Sequence, residues 1–394
     1  MTKIKIGVVM AALAAGTMTS FAQPAKPAAA PNFVDLADRV VGKTANVKEG
    51  EIVEINGSAA DMVFLEELAV AVRKRGAFPM VMVWSESGQK KQLAAVPEKY
   101  DTQTNAAALA LAKVVNVAIT IPAVRDESIF EVLSPARRNA LAKSNQVIQD
   151  TMRKRNVRTI ELSNGFAPSP SRAKNLGVSE AELTTMYWAG LGADYSAVEA
   201  TAKTMQDKLA KGGELHVTMA NGTDFKVKIK GRKVLVSDGV ISDADVKAGG
   251  PGVQAWLPAG EVYLSVVPGT AEGKIVDDRM IAMGKEIVGV TAEFKAGKLT
   301  SITAKSGWDA IKPFYDAAGA GKNEVGLIDF GINPAIKGGG KLENFVSTGM
   351  VTIGTGSNVW AGGTNKEPFS LMFQFGGSTV TLDGTPFVDV GTIK

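Results

Sequence analysis

Cysteine is absent from this 394-residue chain, and histidine occurs once, as His216. The first absence excludes disulfides and lipid attachment through an N-terminal cysteine. The second leaves one imidazole for any acid–base, nucleophilic or metal-ligating role. An excess of either charge is also missing. Lys and Arg number 44 against 40 Asp and Glu, a net charge of +4, and Lys3 and Lys5 account for two of those charges. So small a balance predicts no nucleic-acid partner. The runs Arg73-Lys74-Arg75 and Arg153-Lys154-Arg155 each close a predicted helix, where cations suit the negative end of the helix dipole. There is no hydrophobic run of membrane-spanning length, since the apolar stretch 6–15 is too short to cross a bilayer.

Several familiar catalytic patterns are missing too. No Gly-x-Ser-x-Gly elbow occurs, and a Ser-His-Asp triad could use only His216, with no serine placed near it. Asn56-Gly57-Ser58 lacks the spaced glycines of a dinucleotide fold. Gly319-Ala320-Gly321-Lys322-Asn323 differs from a phosphate loop: Asp316 stands where its first glycine belongs, and Asn323 replaces the Ser or Thr that would hold magnesium. It also follows a predicted helix rather than a strand, so it reads as a helix C-terminal turn.

What is present describes an exported, folded protein. Hydrophobic residues make up 45% and charged residues 21% of the chain, a composition that argues against disorder. Lys3 and Lys5, the apolar stretch 6–15 and Ser20-Phe21-Ala22 have the order of a secretory signal peptide, so residues 1–22 are expected to be removed and the mature chain to start near Gln23. Residues 23–31, rich in Ala and Pro, read as a flexible leader. The destination is then periplasmic or secreted.

From 32 to 212 the pattern alternates strand and helix. Strands are expected at 51–56, 80–84, 114–121 and 157–162, with helices at 61–75 and 137–155; such an alternation predicts an α/β domain with a parallel sheet. A long helical stretch follows over 179–210, with a break near Gly190-Leu191-Gly192. From 213 to 394 short β-prone runs, among them 214–219, 224–230, 261–267 and 288–294, are separated by Asn-Gly, Asp-Gly and Gly-Gly turns. This half predicts a mainly β, barrel-like or sandwich domain of α+β character in which only 308–318 looks helical.

An ordered series of motifs resembles one known family. Gly222-Thr223-Asp224-Phe225, Gly231-Arg232, Asp238-Gly239, Leu257-Pro258-Ala259-Gly260-Glu261-Val262-Tyr263 and Pro268-Gly269-Thr270-Ala271-Glu272-Gly273 are followed by Ile275-Val276, Gly331-Ile332-Asn333-Pro334, the stretch 349–358 and the stretch 378–383. With Asp194-Tyr195 upstream, the series resembles the aminopeptidase T-like (thermophilic or leucyl aminopeptidase) metallo-exopeptidases. The resemblance implies a two-domain fold, a homodimer around an enclosed cavity, and two metal ions held by carboxylates and imidazoles. Such ions lower the pKa of bound water and polarise the scissile carbonyl.

Carried over residue by residue, the ligand set is mostly replaced. The Glu of the Gly-Glu-Val turn is retained as Glu261. The family's second Glu falls at Leu327, with Glu324 and Asp329 the nearest acids; Asp329, two residues from Leu327, shares its strand face and is the candidate substitute. The family's next His falls at Thr352, and its His-x-Asp pair falls at Met372 and Gln374. His216 matches no ligand position and reads as a strand-face residue beside a turn. An oxygen-only site around Glu261, with Asp329, Gln374 or Asp383, would suit calcium or magnesium rather than zinc. The competing reading makes Glu261 part of its turn or the partner of a Lys or Arg. Gly354-Thr355-Gly356-Ser357-Asn358 and Ala361-Gly362-Gly363 read as tight strand connections, although their backbone amides could face an anion or a peptide terminus.

Three functions are therefore expected in competition. One is an exported, metal-site-degenerate homologue, a pseudoenzyme that binds peptides or small ligands and carries no cofactor. Another is an active metal-dependent aminopeptidase with a rearranged carboxylate site around Glu261. The remaining one is a structural or assembly protein of the cell envelope.

Overall fold

Helix boundaries follow side-chain caps. The computed structural model describes residues 32–122, 129, 133–193, 195–336, 338 and 342–394; the expected signal 1–22, the leader 23–31 and Asp194 lie outside the described residues. Asn32 caps α1 (Phe33–Arg39) by accepting from the amides of Val34 and Asp35, which satisfies donors that the first helical turn leaves open. Then come β1 (Ile52–Ser58), α2 (Met62–Lys74), β2 (Phe78–Trp84), α3 (Glu86–Ala95), α4 (Ala106–Ala112), β3 (Val117–Thr120), α5 (Pro135–Lys154) and β4 (Arg158–Glu161). α5 opens with Ser134 as its cap and Pro135 in the first turn, a position where a missing N–H costs nothing. α6 (Pro170–Leu176) repeats the device with Ser169 and Pro170.

The stretch expected as one broken helix is two: α7 (Glu180–Gly192), opened by a Ser179/Glu182 capping box, and α8 (Ser196–Leu209). The second half contains β5 (Glu214–Thr218), β6 (Asp224–Lys228), β7 (Leu235–Ser237), α9 (Asp243–Ala248), β8 (Gln254–Trp256), β9 (Glu261–Ser265), β10 (Glu272–Ala282), β11 (Lys285–Lys295), β12 (Lys298–Thr303), α10 (Trp308–Ala317), β13 (Val325–Gly331), β14 (Val351–Thr355), β15 (Met372–Phe375), β16 (Thr379–Leu382), β17 (Thr385–Asp389) and β18 (Thr392–Ile393). α9 corrects the expectation of a single helix after residue 213. Its signal was legible as Ser242-x-x-Asp245, a capping box in which Ser242 Oγ accepts from the Asp245 amide and donates to the Asp245 carboxylate.

The first sheet has the order β2-β1-β3-β4-β8, with every neighbouring pair parallel. Strands separated by helices of this length force such crossovers. α2 covers the sheet with Phe64, Leu65, Leu68, Ala71 and Val72, whose spacing of three and four residues makes one apolar stripe. β8 comes from the second half of the sequence yet completes this sheet beside β4, so Trp256 lies opposite Glu161.

The other two sheets are antiparallel. One runs β12-β11-β10-β6-β5-β16-β17-β18, the other β15-β14-β13-β9-β7. They share a core that includes Val217, Phe225, Ile275, Ile328, Phe330, Ile353 and Phe373, closed by Met205 of α8 and Ile311 of α10. Among the described residues no helix is long and apolar enough to cross a membrane.

Candidate functional site

Alternation along the third sheet sorts its residues onto two faces. Val262 and Leu264 of β9, Ile328 and Phe330 of β13, Val351 and Ile353 of β14, and Phe373 and Phe375 of β15 enter the shared core. The intervening residues, Glu261, Tyr263, Leu327, Asp329, Thr352, Met372 and Gln374, therefore face the other way. Register aligns them: Glu261 pairs with Gly331, Tyr263 with Asp329, Asp329 with Thr352, and Thr352 with Gln374. Every position to which the sequence assigned a family ligand lies on this face, and so does the substitute acid Asp329. Leu327 and Asp329 share it because they are two residues apart with no bulge between them.

The chemistry of the face differs from that of a dinuclear metal centre. Glu261 and Asp329 are 5% and 2% exposed. Burial pushes the Glu261 carboxyl up to about 8; the Asn164 side-chain amide draws it back in part, and Glu161 adds repulsion. Burial also raises Asp329 well above the ordinary carboxylate range, and the neighbouring Glu261 adds to that rise. Asp329 Oδ1 has no hydrogen-bond partner. Two buried carboxyls on one face oppose each other's ionisation. Gln374 Nε2 donates to Thr352 Oγ1 across 3.4 Å.

The remaining space is apolar. Leu235, Tyr263, Leu327 and Ala361 pack with Trp256, Trp360 and Met372. The Trp256 and Tyr263 rings lie 5.8 Å apart, Trp256 and Trp360 5.7 Å, and Tyr263 and Trp360 5.5 Å. Ring pairs at such separations add about 0.5–1.5 kcal/mol each beyond their buried area. Burial, followed by the charges of Glu261 and Asp329, drives the Tyr263 hydroxyl well above its ordinary range. A co-catalytic pair of ions needs ionised carboxylates and imidazoles. This face offers two buried carboxyls, one amide, the hydroxyls of Thr352 and Tyr263, and an aromatic packing layer. Among the described residues no group of three or more His, Cys, Asp or Glu is placed to hold a metal ion. The residues present do not fit the family's metal centre.

The other residues singled out from sequence lie elsewhere. His216, on β5, bonds Asp224 Oδ1 of β6 through Nε2 at 2.8 Å. Asp383 does not join Glu261: it holds a turn, with φ 50°, and accepts from the amides of Gly213 and Glu214. Glu324 is exposed and accepts from Asn365. Among the described residues no Lys or Arg forms an ion pair with Glu261. Its turn is fixed by neighbours: Asn164 donates to Pro258 O at 3.0 Å, Asn333 donates to Ala259 O at 2.6 Å, and the Ala259 amide donates to Tyr195 Oη. Gly356 and Gly362 have φ of 84° and 78°, and Asn358 ties their loop to Gly326 O and the Asn365 amide. Gly319 follows the end of α10 and leads into a short turn.

Sequence reasoning missed Trp256, Trp360, Asn164 and Glu161. Only Tyr263 carried a signal, since it lies two residues from Glu261 on an alternating strand.

Comparison with known proteins agrees with this architecture. The model of the family described as thermophilic metalloprotease (M29) matches residues 30–330, more than half of the chain. The matched range stops before Thr352, Met372 and Gln374. A search of curated proteins finds no match. Among solved structures, wild-type AmpT from Thermus thermophilus is similar with a TM-score of 0.71 and 18% identity, over 92% of this chain and 98% of that one. The 2,5-dihydroxypyridine dioxygenase from Pseudomonas putida is similar with a TM-score of 0.57 and 15% identity, over 94% and 98%. At these identities the structural likenesses speak for the fold alone. With a parallel α/β region, two antiparallel sheets and a family match over most of its length, the chain belongs to the M29 thermophilic metalloprotease family.

Proposed function

We propose that this chain is a metal-site-degenerate M29 homologue, which binds a peptide or small ligand and does not remove N-terminal residues by metal-dependent hydrolysis. One observation carries the reading: the face on which Glu261, Leu327, Thr352, Met372 and Gln374 converge is packed by Trp256, Tyr263 and Trp360. The supply of groups supports it, because this face carries no imidazole and the family's ligand positions 327, 352 and 372 hold Leu, Thr and Met.

The test is elemental analysis of the purified protein and of Glu261→Gln, beside hydrolysis of aminoacyl reporters after incubation with zinc, cobalt, manganese or calcium. The expected result is no stoichiometric metal and no hydrolysis in either protein. About one or two equivalents of metal, lost in Glu261→Gln, with hydrolysis that a chelator abolishes, would establish instead a working peptidase with a rearranged site.

We further read residues 1–22 as an export signal, on the strength of their basic start, apolar stretch and small residues. N-terminal sequencing of protein recovered outside the cytoplasm is expected to begin near Gln23. Recovery with Met1 intact would overturn export. Stable co-purification with envelope components, without ligand binding, would favour an assembly role.

A further inference from the structure

A second set of acids lies where the two antiparallel sheets meet, beside Gln374 of β15. A cavity of about 390 Å³ opens there between β10, the end of β15 and the segment around Glu343 and Gly349. Asp277 lines it and is 3% exposed. Its Oδ1 accepts from the Arg279 amide at 3.0 Å. Its Oδ2 has no hydrogen-bond partner. A buried carboxyl oxygen left unmatched is unfavourable, and Asp277 is one of the residues that line the cavity.

Glu343 and the exposed Asp278 line the same space. Arg279 is already committed: Nε donates to Glu286 Oε1 at 2.5 Å, Nη1 to Glu343 Oε2 at 3.3 Å, and Nη2 to Asn175 O. It faces Glu343 and leaves Asp277 Oδ2 without a donor. Burial raises Asp277 to about 7 and Glu343 to about 8; Asp278 adds to the rise of the first, while Asp277 and Glu286 add to that of the second. The Arg279 charge and the amides of Arg279 and Gln374 only partly oppose these rises. Met219 and Met350 are among the apolar residues of its lining. A divalent cation is a poor match, because no three carboxylates or imidazoles converge among the described residues. An ammonium group suits the cavity better: it has three donors, needs only two acid partners, and carries an alkyl stem that apolar lining residues can cover.

We propose that this cavity binds a small aliphatic amine, whose ammonium group donates to Asp277 and Glu343 while its hydrocarbon lies against the apolar part of the lining. The proposal deepens the binding reading given above and rests on it for the view that the chain holds a ligand rather than cleaving one.

Calorimetric titration of the full chain with n-butylamine, putrescine and agmatine tests it, with calcium and magnesium chloride as separate titrants. At least one amine is expected to bind saturably, and both Asp277→Asn and Glu343→Gln to weaken it about tenfold or more, the loss expected for a hydrogen bond to a charged group. Asn at 277 keeps the acceptor for the Arg279 amide, so an unchanged melting temperature separates lost binding from lost folding. No saturable amine heat, binding that both substitutions leave intact, or a divalent ion bound in place of the amine would overturn the site. Amine binding together with chelator-sensitive hydrolysis of aminoacyl reporters would leave the site standing and overturn the non-catalytic reading.

Discussion

Glu261 and Asp329 are diagonal neighbours on one face of two adjacent antiparallel strands, with Tyr263 opposite Asp329 and Gly331 opposite Glu261. Both carboxyls are buried, and each is raised by desolvation first and by carboxylate repulsion as well. Their protonation is therefore tied to folding.

That linkage has a definite sign. A carboxyl whose folded pKa exceeds its unfolded value binds protons more tightly in the native state, so its stabilising effect is full below the unfolded pKa and is lost as pH rises through the folded one. For Glu261 the window runs from about 4.5 to about 8. Urea unfolding should give lower stability at the upper end of this window than at the lower end. Glu261→Gln, which cannot ionise, should flatten the profile and gain a few kcal/mol on wild type above the window. Wild-type stability that rises steadily across the window would refute this account.

Trp360 packs against both Trp256 and Tyr263, which also pack against each other. Trp360→Ala should remove about 2–3 kcal/mol, less than a fully buried aromatic truncation because the ring is partly exposed. Denaturant unfolding followed by circular dichroism would measure it. A loss under about 0.5 kcal/mol, the scale of a neutral surface change, would mean that the aromatic layer does not fill the site.

β2 is the outer strand of the parallel sheet, and Phe78, Val81, Val83 and Trp84 are exposed by 54%, 38%, 46% and 41%. An uncharged, apolar edge is a template for pairing with another chain. We expect a homodimer through this edge in sedimentation at micromolar concentration, and its conversion to monomer by Val81→Lys combined with Val83→Lys. A wild type that sediments only as monomer would rule the edge out as an interface.

His216 bonds an exposed Asp224 on the second sheet, away from the Glu261 face. His216→Gln should change stability by no more than about 0.5 kcal/mol, in keeping with a surface pair, and should leave amine binding and metal content as they were. Loss of either would connect this strand to a site.

The strand–helix alternation was legible because its spacing is a local property: β1, α2, β4 and α5 fall where apolar periodicity and turn residues put them. α9 is too short, at six residues, to carry a periodic signal, and only its Ser242-x-x-Asp245 capping box marks it. The retained Glu261 and the replaced Leu327, Thr352, Met372 and Gln374 could also be named from motifs, and their common face follows from strand parity once the register is known.

What the sequence by itself determined was the supply of groups: no thiol, one imidazole, and a retained acid among replaced ligand positions. Only the tertiary structure decided what surrounds them. Trp256 arrives from β8, which joins the parallel sheet beside β4, and Trp360 from a loop after β14, so their packing against Tyr263 links positions up to about a hundred residues apart. The orphan oxygen of Asp277 and its neighbour Glu343 meet in the same way. Burial and register are consequences of long-range packing, and they fix whether a carboxyl holds its proton; no local pattern in the chain records them.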